Sequence, residues 1–305
     1  MKAIRIHGYG SSDVLQFEDV SRPQADPDEV LVKTYDAGLN PVDWKIREGF
    51  LKDSSPRTFP FTAGQDFAGE VVETGERVAQ FTGGDAVFGF AKGAYAEYAA
   101  ARADEIALKP KSIDFVTAAA IPTAGLTAWQ AIVDAARISQ GQSVLIHGAA
   151  GGVGSFAVQI AKWKGARLIA TASRTDIPYL KELGADEVID YKAERFEAKT
   201  RDLDAVIDLV GGETLARSYG LLKKGGVVVT TLGYIDESKL QQNGLKGVAL
   251  FMKRDGMELA ELGKLVEQGI VTPRIDQVLP ISEAKKAQEM SQSGKAHGKI
   301  VLRVA

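Results

Sequence analysis

The sequence predicts an α/β protein in which a doubly wound parallel sheet domain is joined to a β-rich domain. Three observations carry this expectation. From Ser143 onward, short apolar β-branched runs alternate with stretches of helical spacing, the pattern of βαβ units. The first hundred residues instead give short β-branched runs broken by Gly and Asp, the pattern of a small, strongly bent barrel or sandwich. Between them, around Thr117, the composition turns alanine-rich and helical. At 305 residues the chain is long enough for two domains with a sizeable core.

Taken in order, Met1–Ile6 and Val30–Tyr35 alternate as strands, separated by the turn-rich Arg22–Pro27. Glu70–Val78 and Ala86–Gly89 continue the β pattern, and Phe59–Gly69, punctuated by Gly and Pro, reads as loop. Ala118–Pro122 and Leu126–Ile132 read as helical, with Gly141 stopping the run. Strands then follow at Val144–Ile146, Arg167–Ala172, Glu187–Ile189, Ala205–Leu209 and Val227–Thr231, with helices from Val153, Thr175 and Gly212 between them. A helix near Met257–Glu267, a strand at Arg274–Leu279, a helix at Ser282–Met290 and a strand at Lys299–Val304 complete the chain. The expected layout is a discontinuous domain, residues 1–116 and 275–305, around an inserted domain at 117–274.

Composition narrows the function. A formal net charge of -3 gives no basic field for nucleic acid, and no run approaches the roughly 18 apolar residues of a membrane span. Met1–Gly8 lacks the apolar core of a signal peptide, so the expected setting is cytoplasmic, with neither nucleic acid nor membrane as partner. The chain has no cysteine, which excludes disulfides and thiolate metal sites, and its three histidines are widely spaced.

One stretch carries chemistry. Val144-Leu145-Ile146-His147 leads into Gly148-Ala149-Ala150-Gly151-Gly152-Val153-Gly154, after which apolar residues recur at helical spacing. Strand, glycine turn and helix in that order are the context a dinucleotide fingerprint requires. Ala149 stands where the first glycine makes the tight turn. Gly151 lets the backbone approach a pyrophosphate, and Gly154 lets the helix pack close to the strand. The helix N-terminus then offers its N–H groups and dipole to the phosphates. About twenty residues on, an acid would hold an NAD ribose and an Arg an NADP phosphate. Ser173 occupies the place of the acid and Arg174 follows it, so NADPH is the expected cofactor. Asp176, the competing acid, reads as a first-turn residue favoured by the helix dipole.

The chain resembles the medium-chain dehydrogenase/reductase superfamily, in its zinc-free quinone oxidoreductase branch, over essentially its whole length. The resemblance rests jointly on Ala37–Lys45, Gly64–Gly69, Gly84–Val87, Leu126–Ala128, Ala149–Gly154, Leu183–Tyr191 and Gly298–Leu302. It implies a Rossmann domain for the parallel sheet, a GroES-like catalytic domain for the β-rich part, and a homodimer. In zinc-dependent relatives a cysteine ligand precedes an x-x-Asp step and a Gly-His-Glu triplet supplies another. Here Asn40 stands at the cysteine position before Asp43, and Gln65-Asp66 replaces His-Glu. Asn and Gln amides are poor zinc ligands, so alcohol oxidation is not expected. Quinones and activated enones need no such Lewis acid.

The same resemblance places the cofactor residues. Gly151, Gly152, Val153 and Gly154 match the pyrophosphate turn, and Ser173 with Arg174 the 2′-phosphate position. Tyr191 matches an adenosine-phosphate tyrosine, with plain surface packing as the alternative. Thr127 lies near the nicotinamide end or else bonds its own helix backbone. Val210, Gly211, Leu232 and Gly233 follow two strands at their carboxyl ends, where α/β sheets bind ligands. Lys299 is a further cofactor candidate, unless it is an ordinary solvated lysine at a strand start. On the substrate side, Asn40 either donates to a substrate carbonyl or is a turn residue before Pro41. Trp44 walls a flat ring or belongs to the barrel core, Gln65 lies beside the lost metal position, and Asp43 fixes the loop.

The expectation is therefore an NADPH-dependent oxidoreductase passing a hydride to a quinone or α,β-unsaturated carbonyl. Two other readings remain. One is a non-catalytic NADPH-binding redox sensor or structural protein. The other is an enoyl-thioester reductase, which needs a positively charged mouth for a phosphopantetheine or coenzyme A arm that the sequence does not clearly display.

Overall fold

The computed structural model describes all residues from Met1 to Ala305 and divides them into two compact units. The first comprises Met1–Thr123, Arg254–Gly269 and Pro273–Ala305; the second comprises Ala124–Lys253 and Ile270–Thr272.

In the first unit, β1 (Lys2–Ile6) pairs antiparallel with β2 (Leu15–Asp19). The long β3 (Glu29–Leu39) is buried over most of its length and runs straight into α1 (Pro41–Arg47). Two signals start that helix: Asn40 has the extended backbone of an N-cap, and Pro41 occupies the first turn, where its missing N–H costs nothing. The sequence reading has no helix here. It also has loop throughout Phe59–Gly69, where the structure forms β4 (Phe61–Thr62), paired with β1, and the start of β5 (Asp66–Thr74). Phe67 and Val71 of β5 are fully buried, so apolar content outweighs the Gly and Pro punctuation. Then β6 (Ala86–Phe90), β7 (Tyr98–Arg102) and β8 (Ile106–Leu108) extend the β part, and α2 (Phe115–Ala119) covers β3. Gly38 is required at that contact, because a Cβ there would lie 2.1 Å from the Ala119 carbonyl oxygen.

Past α3 (Pro122–Trp129), which continues as a π-helical turn over Gln130–Ala135, the second unit alternates strands and helices. These are β9 (Ser143–His147), α4 (Gly152–Trp163), β10 (Arg167–Ala172), α5 (Ile177–Glu182), β11 (Glu187–Asp190), β12 (Leu203–Asp208), α6 (Gly212–Ser218), β13 (Leu222–Thr230), α7 (Glu237–Asn243) and β14 (Lys246–Ala249). All six strands are parallel, in the order β11-β10-β9-β12-β13-β14. This is the doubly wound arrangement, with the strand order reversing beside β9. Val144–Ile146, Leu168–Ala170 and Ala205–Ile207 have no exposed surface, which explains why these strands read as unbroken apolar runs rather than alternating ones.

The last segment returns to the first unit with α8 (Gly256–Glu267), β15 (Ile275–Pro280), α9 (Ala284–Gln292) and β16 (Lys299–Arg303). β16 lies between β15 and β3 in the seven-stranded sheet β15-β16-β3-β5-β6-β8, with β7 also on β3. The sequence boundary puts α8 with the nucleotide-binding domain, whereas the structure puts it with the β-rich unit. Gly256 sits against the Asp104 and Ile106 carbonyls and Gly263 against Phe88 and Pro110, contacts that helix periodicity does not reveal.

Candidate active site

The glycine turn joins β9 to α4. The tight turn falls on Gly148, with φ +69, and not on Ala149, which is buried in ordinary conformation. Only glycine adopts that φ without strain, so the turn comes one residue earlier than the sequence suggests. Gly154 must also be glycine, since a Cβ there would lie 2.2 Å from the Gly148 carbonyl oxygen. Its close approach is thus to the turn backbone. At Gly151 a Cβ would meet only the Gly148 oxygen, at 3.4 Å, leaving the space before the helix open. The first backbone bond of α4 runs from Ser155 N to Gly151 O (2.9 Å). The amides of Gly152, Val153 and Gly154 precede it and have no acceptor within the helix, the arrangement that receives an anion.

The other residues named for the cofactor in this unit line the carboxyl ends of neighbouring strands. Ser173 and Arg174 follow β10. The Ser173 hydroxyl donates to Asp176 Oδ2 (2.8 Å), and Asp176 is buried as the N-cap residue of α5, so it is turned to local structure while Arg174 stays exposed. Tyr191 follows β11 and is 55% exposed. After β12, Asp208 is fully buried and accepts from Gly211 N (3.0 and 3.1 Å), Val210 N (3.3 Å) and the Thr230 hydroxyl (2.9 Å). Thr230 Oγ1 in turn accepts from Leu232 N (3.3 Å). One carboxylate therefore shapes both loops, and leaves Val210 and Leu232 half exposed beside Gly211 and Gly233, each with positive φ. Thr127 lies on α3, nearly buried.

The first unit holds a different constellation, buried and polar. Asn40 is 2% exposed and Lys299, at the start of β16, 4%. Lys299 is thus no solvated strand-start lysine. Its Nζ donates to the Leu39 carbonyl (2.9 Å) and to Asn40 Oδ1. Asp43 Oδ2 accepts from Asn40 N (2.8 Å) and from the Tyr95 hydroxyl (2.8 Å), so Asp43 does fix the loop. Burial, with the nearby negative charge of Asp66 adding to it, pushes the Asp43 carboxyl up to about 6 against the pull of its two donors. Burial likewise lowers the Lys299 ammonium, while Asp66 and Asp43 act the other way. Asp66 accepts from both the amide (2.9 Å) and the hydroxyl (2.5 Å) of Thr123. Amid this pairing, Asn40 Nδ2 is buried without a partner.

Gln65 gives its Oε1 to the Arg254 guanidinium, which also bonds Glu105 (3.0 Å). Gln65, Arg254 and Asp43 line a cavity of about 320 Å³ in this unit, together with Arg57, Phe61 and Thr62. Trp44 is half buried on α1, edge-on to Phe50 with ring centroids 6.0 Å apart, and outside the β core. No group of three or more His, Cys, Asp or Glu side chains is placed to hold a metal ion.

Residues 26–111 match the alcohol dehydrogenase GroES-like domain, and residues 183–302 match the zinc-binding dehydrogenase family. A 2-methylene-furan-3-one reductase from Solanum lycopersicum is 37% identical over 318 residues, spanning 99% of this chain and 79% of its own. The chain belongs to the medium-chain dehydrogenase/reductase superfamily. Within that superfamily it stands in the quinone oxidoreductase branch, and it is an oxidoreductase. A quinone oxidoreductase structure from Coxiella burnetii, 38% identical, superposes with a TM-score of 0.94 over 100% of this chain and 99% of that one. The Escherichia coli quinone oxidoreductase complexed with NADPH, 28% identical, gives 0.90 with both chains covered completely.

Sequence reasoning about this superfamily member misses Tyr95, Asp208 and Arg254. Tyr95 reaches Asp43 across 52 residues, and Arg254 reaches Gln65 across 189, so no local pattern marks either. Asp208 was within reach: a carboxylate at the end of a buried strand, just before two glycines, is a loop organiser by position.

Proposed function

We propose that this protein is an NADPH-dependent reductase that transfers a hydride to a quinone or an α,β-unsaturated carbonyl without zinc. The observation that carries the reading is what holds the two residues at the zinc-ligand positions. Asn40 presents its oxygen to the Lys299 ammonium, and Gln65 presents its oxygen to the Arg254 guanidinium. A divalent cation on those oxygens would lie beside two fixed positive charges, which disfavours it. The unpartnered Asn40 Nδ2 supports a different source of electrophilic help, a hydrogen bond to the substrate oxygen as negative charge builds there.

The glycine turn fits the cofactor. The open side of Gly151 leaves room for a pyrophosphate against the amides of Gly152, Val153 and Gly154, and Arg174 offers a free cation for a 2′-phosphate. Tyr191, Val210, Gly211, Leu232 and Gly233 would line the rest, with Thr127 toward the nicotinamide. Bound NADPH supplies the hydride. A quinone reduced in this way leaves a hydroquinone anion that water protonates, so no protein acid is required. The reading includes a homodimer, supported by the outer edge of β14, which has no strand partner within the chain.

The test is NADPH oxidation with 1,4-benzoquinone and with a simple enone at saturating cofactor. Turnover with at least one of them is expected. No rate above the uncatalysed background with either would sink the reading in favour of a non-catalytic NADPH-binding protein.

A further inference from the structure

We infer that Lys299 is a positioning residue that locks the Asn40 amide with its NH₂ turned away from the lysine and left free to donate to the reacting oxygen; this rests on the reading of Asn40 as that donor. An asparagine amide has two ends that a free side chain exchanges by rotating half a turn. Lysine removes the choice, because an ammonium carries three donors and no acceptor, so only the amide oxygen can face it. Lys299 Nζ is fixed in turn by the Leu39 carbonyl, one residue before Asn40, and is buried. The Asn40 backbone is held separately, its N–H donating to Asp43 Oδ2, which the Tyr95 hydroxyl also clamps. Main chain and oxygen are thus pinned at two independent points, and Nδ2 is the one polar atom of Asn40's side chain left over.

An unpartnered buried N–H group is costly and persists where an acceptor arrives from outside. The positive charge on Lys299 also draws electron density toward the amide oxygen, which makes the unpartnered N–H a stronger donor. Pairing the amide with a cation supplies both orientation and polarisation, and neither needs the lysine to touch substrate.

The experiment is a double-mutant cycle read by kcat and KM with 1,4-benzoquinone, alongside the NADPH dissociation constant and thermal melting. Asn40→Asp keeps the size and the Lys299 partner but removes the donor; kcat is expected to fall about 100-fold or more with the melting temperature preserved. Lys299→Met frees the amide and is expected to lower kcat on the order of 10- to 100-fold, with NADPH affinity kept within about threefold. The double variant is expected to be no slower than Asn40→Asp alone, since a lysine that acts only through Asn40 has nothing further to lose. If Asn40→Asp keeps wild-type kcat, the donor reading falls, and this proposal with it. If Asn40→Asp is slow but Lys299→Met is not, or the two losses multiply, or Lys299→Met weakens NADPH more than tenfold at unchanged kcat, the positioning role alone is overturned. Should Lys299→Met fail to fold, Lys299→Gln takes its place in the cycle under the same criterion.

Discussion

At the scale of single residues, the discrimination between NADPH and NADH is expected to rest on Arg174. Its neighbour Ser173 donates to Asp176, whose carboxylate is buried and so turned to local structure rather than toward a ribose hydroxyl. Arg174→Ala is expected to weaken NADPH by roughly 1.5–3 kcal/mol while leaving NADH nearly unchanged, the value of a charged hydrogen bond. Titration of both cofactors by nicotinamide fluorescence checks this, and equal losses would remove Arg174 from the phosphate site. The residues of this edge were legible in the sequence because each follows a recognisable strand. Lys299 was legible only as a candidate. Position at a strand start says that a lysine has solvent within reach, but β16 is an inner strand, and what its first residue faces depends on a partner 259 positions away.

At the scale of elements, the glycine turn separates two requirements that a sequence motif merges. Gly154 answers to packing and Gly151 to the ligand. Gly154→Ala forces a Cβ into the Gly148 carbonyl, and is expected to destabilise the fold by about 1–3 kcal/mol as well as to weaken cofactor binding. Gly151→Ala places its methyl in ordinary contact at a φ of -75°, so melting is expected to stay close to wild type while NADPH binding falls tenfold or more. Normal NADPH binding by Gly151→Ala would show that the pyrophosphate does not approach there. The helix α1 shows the opposite limit of legibility. Its signal, Asn40-Pro41-Val42-Asp43, was present, but seven residues are too few for an apolar periodicity to emerge.

At the scale of the whole molecule, stability is expected to depend on pH through a buried histidine beside the glycine turn. His147 ends β9, fully buried, with the Thr171 hydroxyl at Nδ1 (3.0 Å) and Ser218 Oγ at Nε2 (2.9 Å). Ser218 spends its own proton on the Thr214 carbonyl (2.7 Å), so Nε2 carries the hydrogen and Nδ1 must accept. Burial lowers its pKa to about 4, outweighing the nearby Asp208 charge. Above about pH 6.5 it is neutral in both states. Between about 6.5 and 4 only the unfolded chain takes the proton, so stability falls with falling pH, by up to about 3 kcal/mol. Asp43 works in the opposite direction over an overlapping range, gaining a proton in the native state from about pH 6 downward. Comparing wild type with His147→Gln isolates the histidine. The variant is expected to be the less stable protein near pH 7.5, with the gap narrowing toward pH 4; a gap independent of pH would mean that His147 does not titrate over this range.

The division of the first unit into three stretches of sequence has a consequence for biosynthesis. Asn40 leaves the ribosome ahead of the parallel sheet unit, together with most of its own sheet, whereas Lys299 and the inner strand β16 follow that unit. The parallel sheet unit lies almost wholly in between and has all its strands in hand well before then. Closure of the first unit therefore waits for the strand that reaches the proposed site of chemistry, and a nascent chain halted before β16 would carry Asn40 with its amide still free to turn.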